Sequence, residues 1–384
     1  MSQTSYFAAC INGLEPALEE ELRALGADDI SVRTGGVAFS GDKALGYRAC
    51  LWLRSAVRVQ EELAHTQVRD ADELHDAVRA LPWERWIAPD QTLAVYASTQ
   101  DTKSLRHSGF VALRIKDGVV DRIREKHGQR PSVDTRQPDV PLKAVIHSER
   151  FLLYRDLAGA SLHKRGCRPA QVRSPLNEST AAGLLDLAGW DGQGGLVDPM
   201  CGSGTFLIEA AWKAMDRAPG LTRSFAFEKW IDHDRGIWGE LLDEARGRLN
   251  TKPDVVLEGA DHHGGALALA KTGLQLAGVD HLIRLRKSDA RDFQPTVTPT
   301  MVVTNPPYGV RIGDGEELVD SWQSLGNFLH RYCGGATAWV LCGDPTLTRF
   351  LGLKTSRRIP VMNGPIECRW LRYEIRAPRK ARAD

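Results

Sequence analysis

Apolar positions along the first 165 residues keep changing period. Leu14, Leu18, Leu22 and Leu25 lie four, four and three apart, with Glu19 to Glu21 on the remaining surface. "GLEPALEEELRALGA" therefore predicts an amphipathic helix stopped at Gly26. "ISVRTGGVAFSGD" reads as two short strands around Gly35-Gly36, and "ALGYRACLWLRSAVRVQEELAH" as a helix passing into a strand. A helix is predicted over 71–82, a strand at "TLAVYAST", a long helix over 106–127 and a hairpin at "PLKAVIHSERFLLYRDLAG". Helices and strands do not alternate strictly, which implies an α+β arrangement.

The pattern changes after "SLHKRGCRPAQVRSP" (161–175), a polar, basic segment that reads as a linker, with Ser174 and Pro175 suited to start the next helix. Beyond it, helix 176–188 leads to the buried strand of "GLVDPMCGSGT" and a helix from 206. After an irregular 219–238 come helix 239–249, strand "VVLEGAD", helix "GALALAKTGLQLAG", strands "IRLRKSDA" and "MVVTNPP", helix 318–333 and strand "ATAWVLCGD". The chain closes on a turn at Asn363-Gly364 and a final strand. This alternation predicts a doubly wound, Rossmann-like α/β sheet.

Composition narrows the class. With 384 residues, 42% hydrophobic and 26% charged, the chain is long enough for two or three globular domains. It has no apolar run long enough to span a membrane, and its start lacks a signal-peptide pattern. Seven cysteines without a Cys-x-x-Cys pair argue against a disulfide framework or zinc ribbon, and point to a reducing cytoplasm. His262 and His263 are adjacent, so they point opposite ways on an extended segment, and no metal site is expected. The net charge of +1 does not announce a polyanion partner. Locally, residues 102 to 136 hold nine Lys/Arg against four acids, among them Lys103, Arg106, Arg114, Lys116, Arg122, Arg124, Lys126 and Arg130. The C-terminal "RAPRKARAD" is also basic. Such a stripe is either an RNA footprint or a solvated helix face.

The first chemical signal is "LVDPMCGSGTFLIEAA": a buried strand, an acid, a glycine turn and a helix. Gly202 and Gly204 let backbone approach a ligand, and the helix starting near Thr205 presents free amides to it. A P-loop lysine is missing, and Leu207 stands where a dinucleotide fold wants its third glycine. Asp198 before the loop would repel a pyrophosphate but can hold an ammonium, which favours S-adenosylmethionine. Asp261 ends the next strand, placed to accept ribose hydroxyls, and Asp289 the one after, placed to accept the adenine amine.

The fourth strand of this set ends at Asn305-Pro306-Pro307-Tyr308. Its carboxyl end falls in the same crevice. The Asn305 side-chain oxygen and the Pro306 carbonyl, preset by proline geometry, can both accept from one NH2 group. Two acceptors favour a tetrahedral nitrogen whose lone pair is free to attack a methyl group in line. Tyr308 offers a face for a flipped base. Cys201 lies inside the glycine loop and reads as a packing residue rather than a nucleophile.

"DPMCGSGTFLIEAA" and "TNPPYG" together resemble the THUMP-domain RNA methyltransferases. Across essentially the full length, "VDTRQPDVPL", "GASLHKRG", "DRAPGL", "W…D…IW" and "MNGP" are similar to the bacterial 23S rRNA guanine-N2-methyltransferases of the RlmL type. The resemblance implies a ferredoxin-like part over 1–50 (extending in places to about 165), a THUMP domain over 51–160 that grips RNA, and a class I methyltransferase with a seven-stranded sheet over 176–384. It implies a cofactor site of Asp198, Pro199, Cys201, Gly202, Gly204, Thr205, Asp261, Asp289, Ala290 and Asn305, with Asn305, Pro306, Pro307 and Tyr308 as the catalytic tetrad. Two positions depart from the family: His263 stands where a second acid is common, and Asn177 where a basic residue precedes Glu178. The expected substrate is 23S rRNA, naked or in an assembly intermediate. The same tetrad would serve tRNA guanine-N2 or adenine-N6 methylation.

Overall fold

The structure is a computed structural model that describes residues 3–168, 176–309 and 315–377. Its first half contains β1 (Thr4–Cys10), α1 (Glu15–Ala24), β2 (Asp28–Arg33), β3 (Gly36–Gly41), α2 (Lys43–Trp52), β4 (Ala56–Gln67), α3 (Ala71–Arg79), β5 (Thr92–Gln100), α4 (Ser108–His127), β6 (Ser132–Val133), β7 (Val140–His147) and β8 (Arg150–Asp156). Leu14, Leu18 and Leu22 are fully buried, as their spacing requires, and Gly26 leaves α1 with φ +80°. Asp42 caps α2 through the Leu45 amide, and Asp70 caps α3 through the amides of Asp72 and Glu73.

These strands form one eight-stranded sheet, β2-β3-β1-β4-β8-β7-β5-β6. Twelve-residue β4 joins its two parts: Ala56–Glu61 pair with β1 and Gln60–Gln67 with β8. Residue 50, an expected domain boundary, falls within α2.

The second half contains α5 (Glu178–Ala188), β9 (Gly194–Asp198), α6 (Thr205–Ala214), α7 (Arg235–Arg248), β10 (Val255–Asp261), α8 (Gly264–Ala277), β11 (Ile283–Lys287), β12 (Met301–Thr304), α9 (Gly315–Tyr332), β13 (Thr337–Cys342), β14 (Thr355–Asn363) and β15 (Ile366–Glu374). Its seven-stranded sheet has the order β11-β10-β9-β12-β13-β15-β14. The first five are parallel, and β15 runs antiparallel to both neighbours. The strand order reverses between β9 and β12, which opens a crevice at their carboxyl ends.

Several sequence expectations change. Helix α5 begins at Glu178 with Asn177 as its cap, the side-chain oxygen accepting from the Thr180 amide at 2.7 Å. Ser174 and Pro175 lie outside the described residues, as do residues 378–384 of the basic tail. Helix α7 starts four residues early because Asp234 caps it. The 3-10 turn Pro345–Leu351 and two-residue β6 escaped the pattern because neither is long enough to show a period.

The expected linker is partly built into the joint between the two sheets. Arg165 is buried against Glu209 at 2.7 Å and donates to the Arg54 carbonyl at 2.6 Å. Arg155 bridges Glu61 (2.7 Å) and Asp232 (2.8 Å), its guanidinium 3.8 Å over the Trp230 ring. The Met362 amide donates to the Asn12 carbonyl at 3.0 Å. A single apolar cluster runs from Tyr6 through Leu51 and Phe227 to Trp370.

Candidate active site

Four strand ends bring the expected residues together. Gly204 caps α6 in a left-handed conformation, φ +79°, and Gly202 has φ +53° with open space where a Cβ would stand. The loop is tied down on the strand side: the Cys201 amide donates to the Ala260 carbonyl at 2.8 Å, and the Gly202 amide to Asp261 Oδ2 at 2.9 Å. Asp261 Oδ1 accepts from the His263 amide at 2.8 Å. The carboxylate at the end of β10 thus braces the glycine loop, a role the linear pattern does not reveal.

Asp198 ends β9 with 2% exposure. Burial pushes its carboxyl up to about 7, and the neighbouring Asp261 adds to the rise. A cationic group arriving above the loop would restore the charged form. Burial also pushes the Cys201 thiol well above its ordinary value, so the sulfur stays protonated and is no nucleophile. Pro199 and Thr205 flank the loop, and Thr205 opens α6.

Asp289 caps the 3-10 turn Ala290–Asp292, its Oδ1 accepting from the Arg291 amide (2.9 Å) and from Arg291 Nε (3.1 Å). Among the described residues no donor reaches its second oxygen; Ala290 beside it is buried. His263 occupies the place of the second acid and caps α8, its Nδ1 accepting from the Ala266 amide at 3.1 Å. His262 points to solvent with its side chain 73% exposed. Among the described residues no three His, Cys, Asp or Glu converge as a metal site.

The Asn305–Tyr308 turn follows β12 directly. Asn305 Oδ1 is buried, and no donor among the described residues reaches it. Leaving such an acceptor unpaired costs about 1–3 kcal/mol, so its retention calls for an explanation. No donor among the described residues reaches the Pro306 carbonyl either, whereas the Pro307 carbonyl accepts from Trp322 Nε1 at 3.0 Å. Tyr308 is half-buried. One side of its ring lies on Gly343, and its hydroxyl accepts from Asn363 Nδ2 at 2.8 Å. Trp322, Gly343 and Asn363 were absent from the sequence-derived site; "MNGP" marks Asn363 as a motif residue, but nothing in the chain places it beside Tyr308. A small cavity of about 10 Å³ next to the glycine loop is lined by residues that include Arg168, Glu178, Ser203 and Thr205.

The basic segment divides in two. Arg114 pairs with Asp72 (2.9 Å), Arg122 with Glu84 through two bonds (2.8 and 3.1 Å), Arg124 with Asp121 (2.8 Å) and Lys116 with Asp117 (2.6 Å). The Arg122 bonds hold the Glu84 carboxyl down at about 2. Lys103, Arg106, Lys126 and Arg130 are exposed, with no acidic partner among the described residues. Lys103 and Arg106 precede α4, Lys126 lies in its last turn and Arg130 follows it, and the helix's 20 residues span about 30 Å. The expected stripe is therefore two cationic ends.

Residues 5–60 match the RlmL ferredoxin-like domain, 68–156 the THUMP domain and 165–372 the RMKL-like methyltransferase domain. The chain is 41% identical, over 99% of its length, to the ribosomal RNA large subunit methyltransferase K/L of Syntrophotalea carbinolica, of which it covers 55%. A Synechocystis protein named as an RNA methyltransferase is 38% identical, with 96% of each chain covered. The solved structure of SMU.472, named as a methyltransferase and complexed with SAH, has a TM-score of 0.90 at 25% identity, over 99% of this chain and 100% of that one. The chain spans about half the length of the K/L relatives it matches.

Proposed function

The chain belongs to the RMKL-like methyltransferase family, and from that membership we propose that it methylates the exocyclic N2 amine of a guanine in 23S rRNA, in the cytoplasm. The observation that carries this reading is the buried Asn305 Oδ1, unpaired among the described residues, at the carboxyl end of β12 beside the glycine loop. Large-subunit rRNA is read from the Syntrophotalea relative and guanine from the family resemblance; the turn itself would accept the amine of either purine.

Asp198 would hold the ammonium end of S-adenosylmethionine, Asp261 the ribose and the second oxygen of Asp289 the adenine amine, over the Gly202–Gly204 backbone. S-adenosylmethionine supplies an electrophilic methyl on a sulfonium and leaves as a neutral thioether. Asn305 Oδ1 and the Pro306 carbonyl would accept both hydrogens of the target NH2. That would draw the nitrogen lone pair out of conjugation and leave it free to attack an electrophilic methyl group. The N–C bond forms as the S–C bond breaks, and the nitrogen, now cationic, sheds a proton to water. Tyr308 would support the flipped base. RNA would be held by Lys103 and Arg106 at one end of α4 and Lys126 and Arg130 at the other. Arg114, Lys116, Arg122 and Arg124 remain secondary contributors, since each already has an acid.

The test is to incubate the protein with methyl-labelled donor and tRNA, naked rRNA or ribosomal subunits, then identify the labelled nucleoside. N2-methylguanosine from 23S rRNA is expected; label in tRNA or in N6-methyladenosine would replace this substrate. Asn305→Ala should abolish transfer while donor affinity stays within a few-fold, and an active variant would sink the mechanism.

A further inference from the structure

The Asn305–Tyr308 turn contains two prolines, so it has few handles by which the protein can hold it. Pro306 and Pro307 carry no N–H. A turn that must present two free acceptors has to be fixed through its other groups, among them the Pro307 carbonyl and the tyrosine. Both are taken, by residues of two different elements. Trp322, fully buried on α9, donates its indole N–H to the Pro307 carbonyl at 3.0 Å. Asn363, 7% exposed at the turn of the closing hairpin, donates to the Tyr308 hydroxyl at 2.8 Å. Gly343, just past β13, completes the seat, because a Cβ there would lie 2.4 Å from Tyr308 Cδ2.

We propose that Asn363 and Trp322 are positioning residues that clamp the turn from α9 and from the β14–β15 hairpin. This assignment rests on the function proposed above and adds the groups that act through the tetrad. Trp322 engages the carbonyl next to the one the amine needs, leaving the Pro306 carbonyl free. Asn363 fixes the tyrosine ring by its rim, so the ring cannot swing with the base. A clamped acceptor pair needs no reorganisation when the nitrogen becomes tetrahedral, so its loss should fall on turnover. Cys368 Sγ, 3.6 Å from the same hydroxyl, is a weak second contact that cannot replace the amide.

The test is a double-mutant cycle with Asn363→Leu, which keeps the shape but removes the donor, and Tyr308→Phe, which removes the acceptor. The wild type, both single variants and the double variant are compared for kcat and KM on naked rRNA, donor affinity and thermal midpoint. Each single variant should lose about tenfold in kcat, equivalent to one hydrogen bond near 1.4 kcal/mol, with donor affinity within twofold. The double variant should lose no more than either single one, because both remove the same bond. Trp322→Phe should likewise lower kcat with donor affinity retained. An Asn363→Leu enzyme matching wild type in kcat and KM would overturn the assignment, as would additive losses in the cycle. If instead the wild-type protein binds donor but methylates no RNA, the function proposed above fails, and the clamp has no reaction to serve.

Discussion

At the scale of single residues, the site is built from groups kept short of partners. Among the described residues, Asn305 Oδ1 has no donor and buried Asp198 has no cation. The second case sets a pH dependence. Its carboxyl titrates near 7 in the folded, ligand-free protein, above its ordinary 3.8. The folded state therefore holds this proton more tightly than the unfolded one. The stability contributed is full below about pH 4 and is lost as pH rises through 7. Donor binding runs the other way, because an ammonium needs the carboxylate. Calorimetric titration should show affinity weakening as pH falls below 7, by up to about tenfold per unit, in a dependence that Asp198→Asn removes. A flat profile in the wild type would detach Asp198 from the donor.

Among the elements, α4 shows how charge on a helix divides between packing and recognition. Its middle is spent on α3 and on the 3-10 turn Trp83–Arg85, through Arg114–Asp72, Arg79–Glu125 and Arg122–Glu84. Pairs this open to water are screened and add little to stability. Replacing Lys126 and Arg130 by alanine should weaken RNA binding and lower the magnitude of the log–log salt slope by about one per cation. Arg122→Ala should leave that slope nearly unchanged while slightly lowering the melting temperature. Filter binding across a salt series separates the two, and equal slopes for all variants would place RNA elsewhere. The hydrophobic period predicted α4 correctly, but a count of basic residues cannot tell a paired arginine from a free lysine. For Arg114 and Arg122 the distinction depends on acids 42 and 38 positions away, Asp72 and Glu84, that only packing brings near.

Over the whole molecule, buried ion pairs and a shared apolar cluster hold the two sheets together. Arg165 and Glu209 are both almost fully enclosed, and several motifs that carry the family resemblance lie at this joint: Arg165 in "GASLHKRG", Arg217 and Gly220 in "DRAPGL", Asp139 in "VDTRQPDVPL" and Trp230 and Asp232. Breaking such a pair leaves an uncompensated charge in the interior. Arg165→Met should therefore destabilise the protein by about 3–5 kcal/mol in chemical denaturation. Arg165→Met with Glu209→Leu should recover most of the loss, and a single variant as stable as wild type would show that water reaches Glu209.

What the sequence determined by itself was everything with a local cause. Periods of two and 3.6 set the strands and helices, and alternation set the parallel sheet. The glycine loop, the acids at three successive strand ends and the rigid Asn-Pro-Pro-Tyr turn were legible because strand order carries them to one crevice. Tertiary structure alone decided what those groups lack and what holds them. Asp261 braces the loop, Asp198 is stripped of water, and Asn305 is left unpaired while Trp322 and Asn363 take its neighbours. Hydrogen bonds between residues 15 to 60 positions apart leave no periodic trace in the chain, and burial, which sets both their strength and the Asp198 titration, is a property of the packed whole.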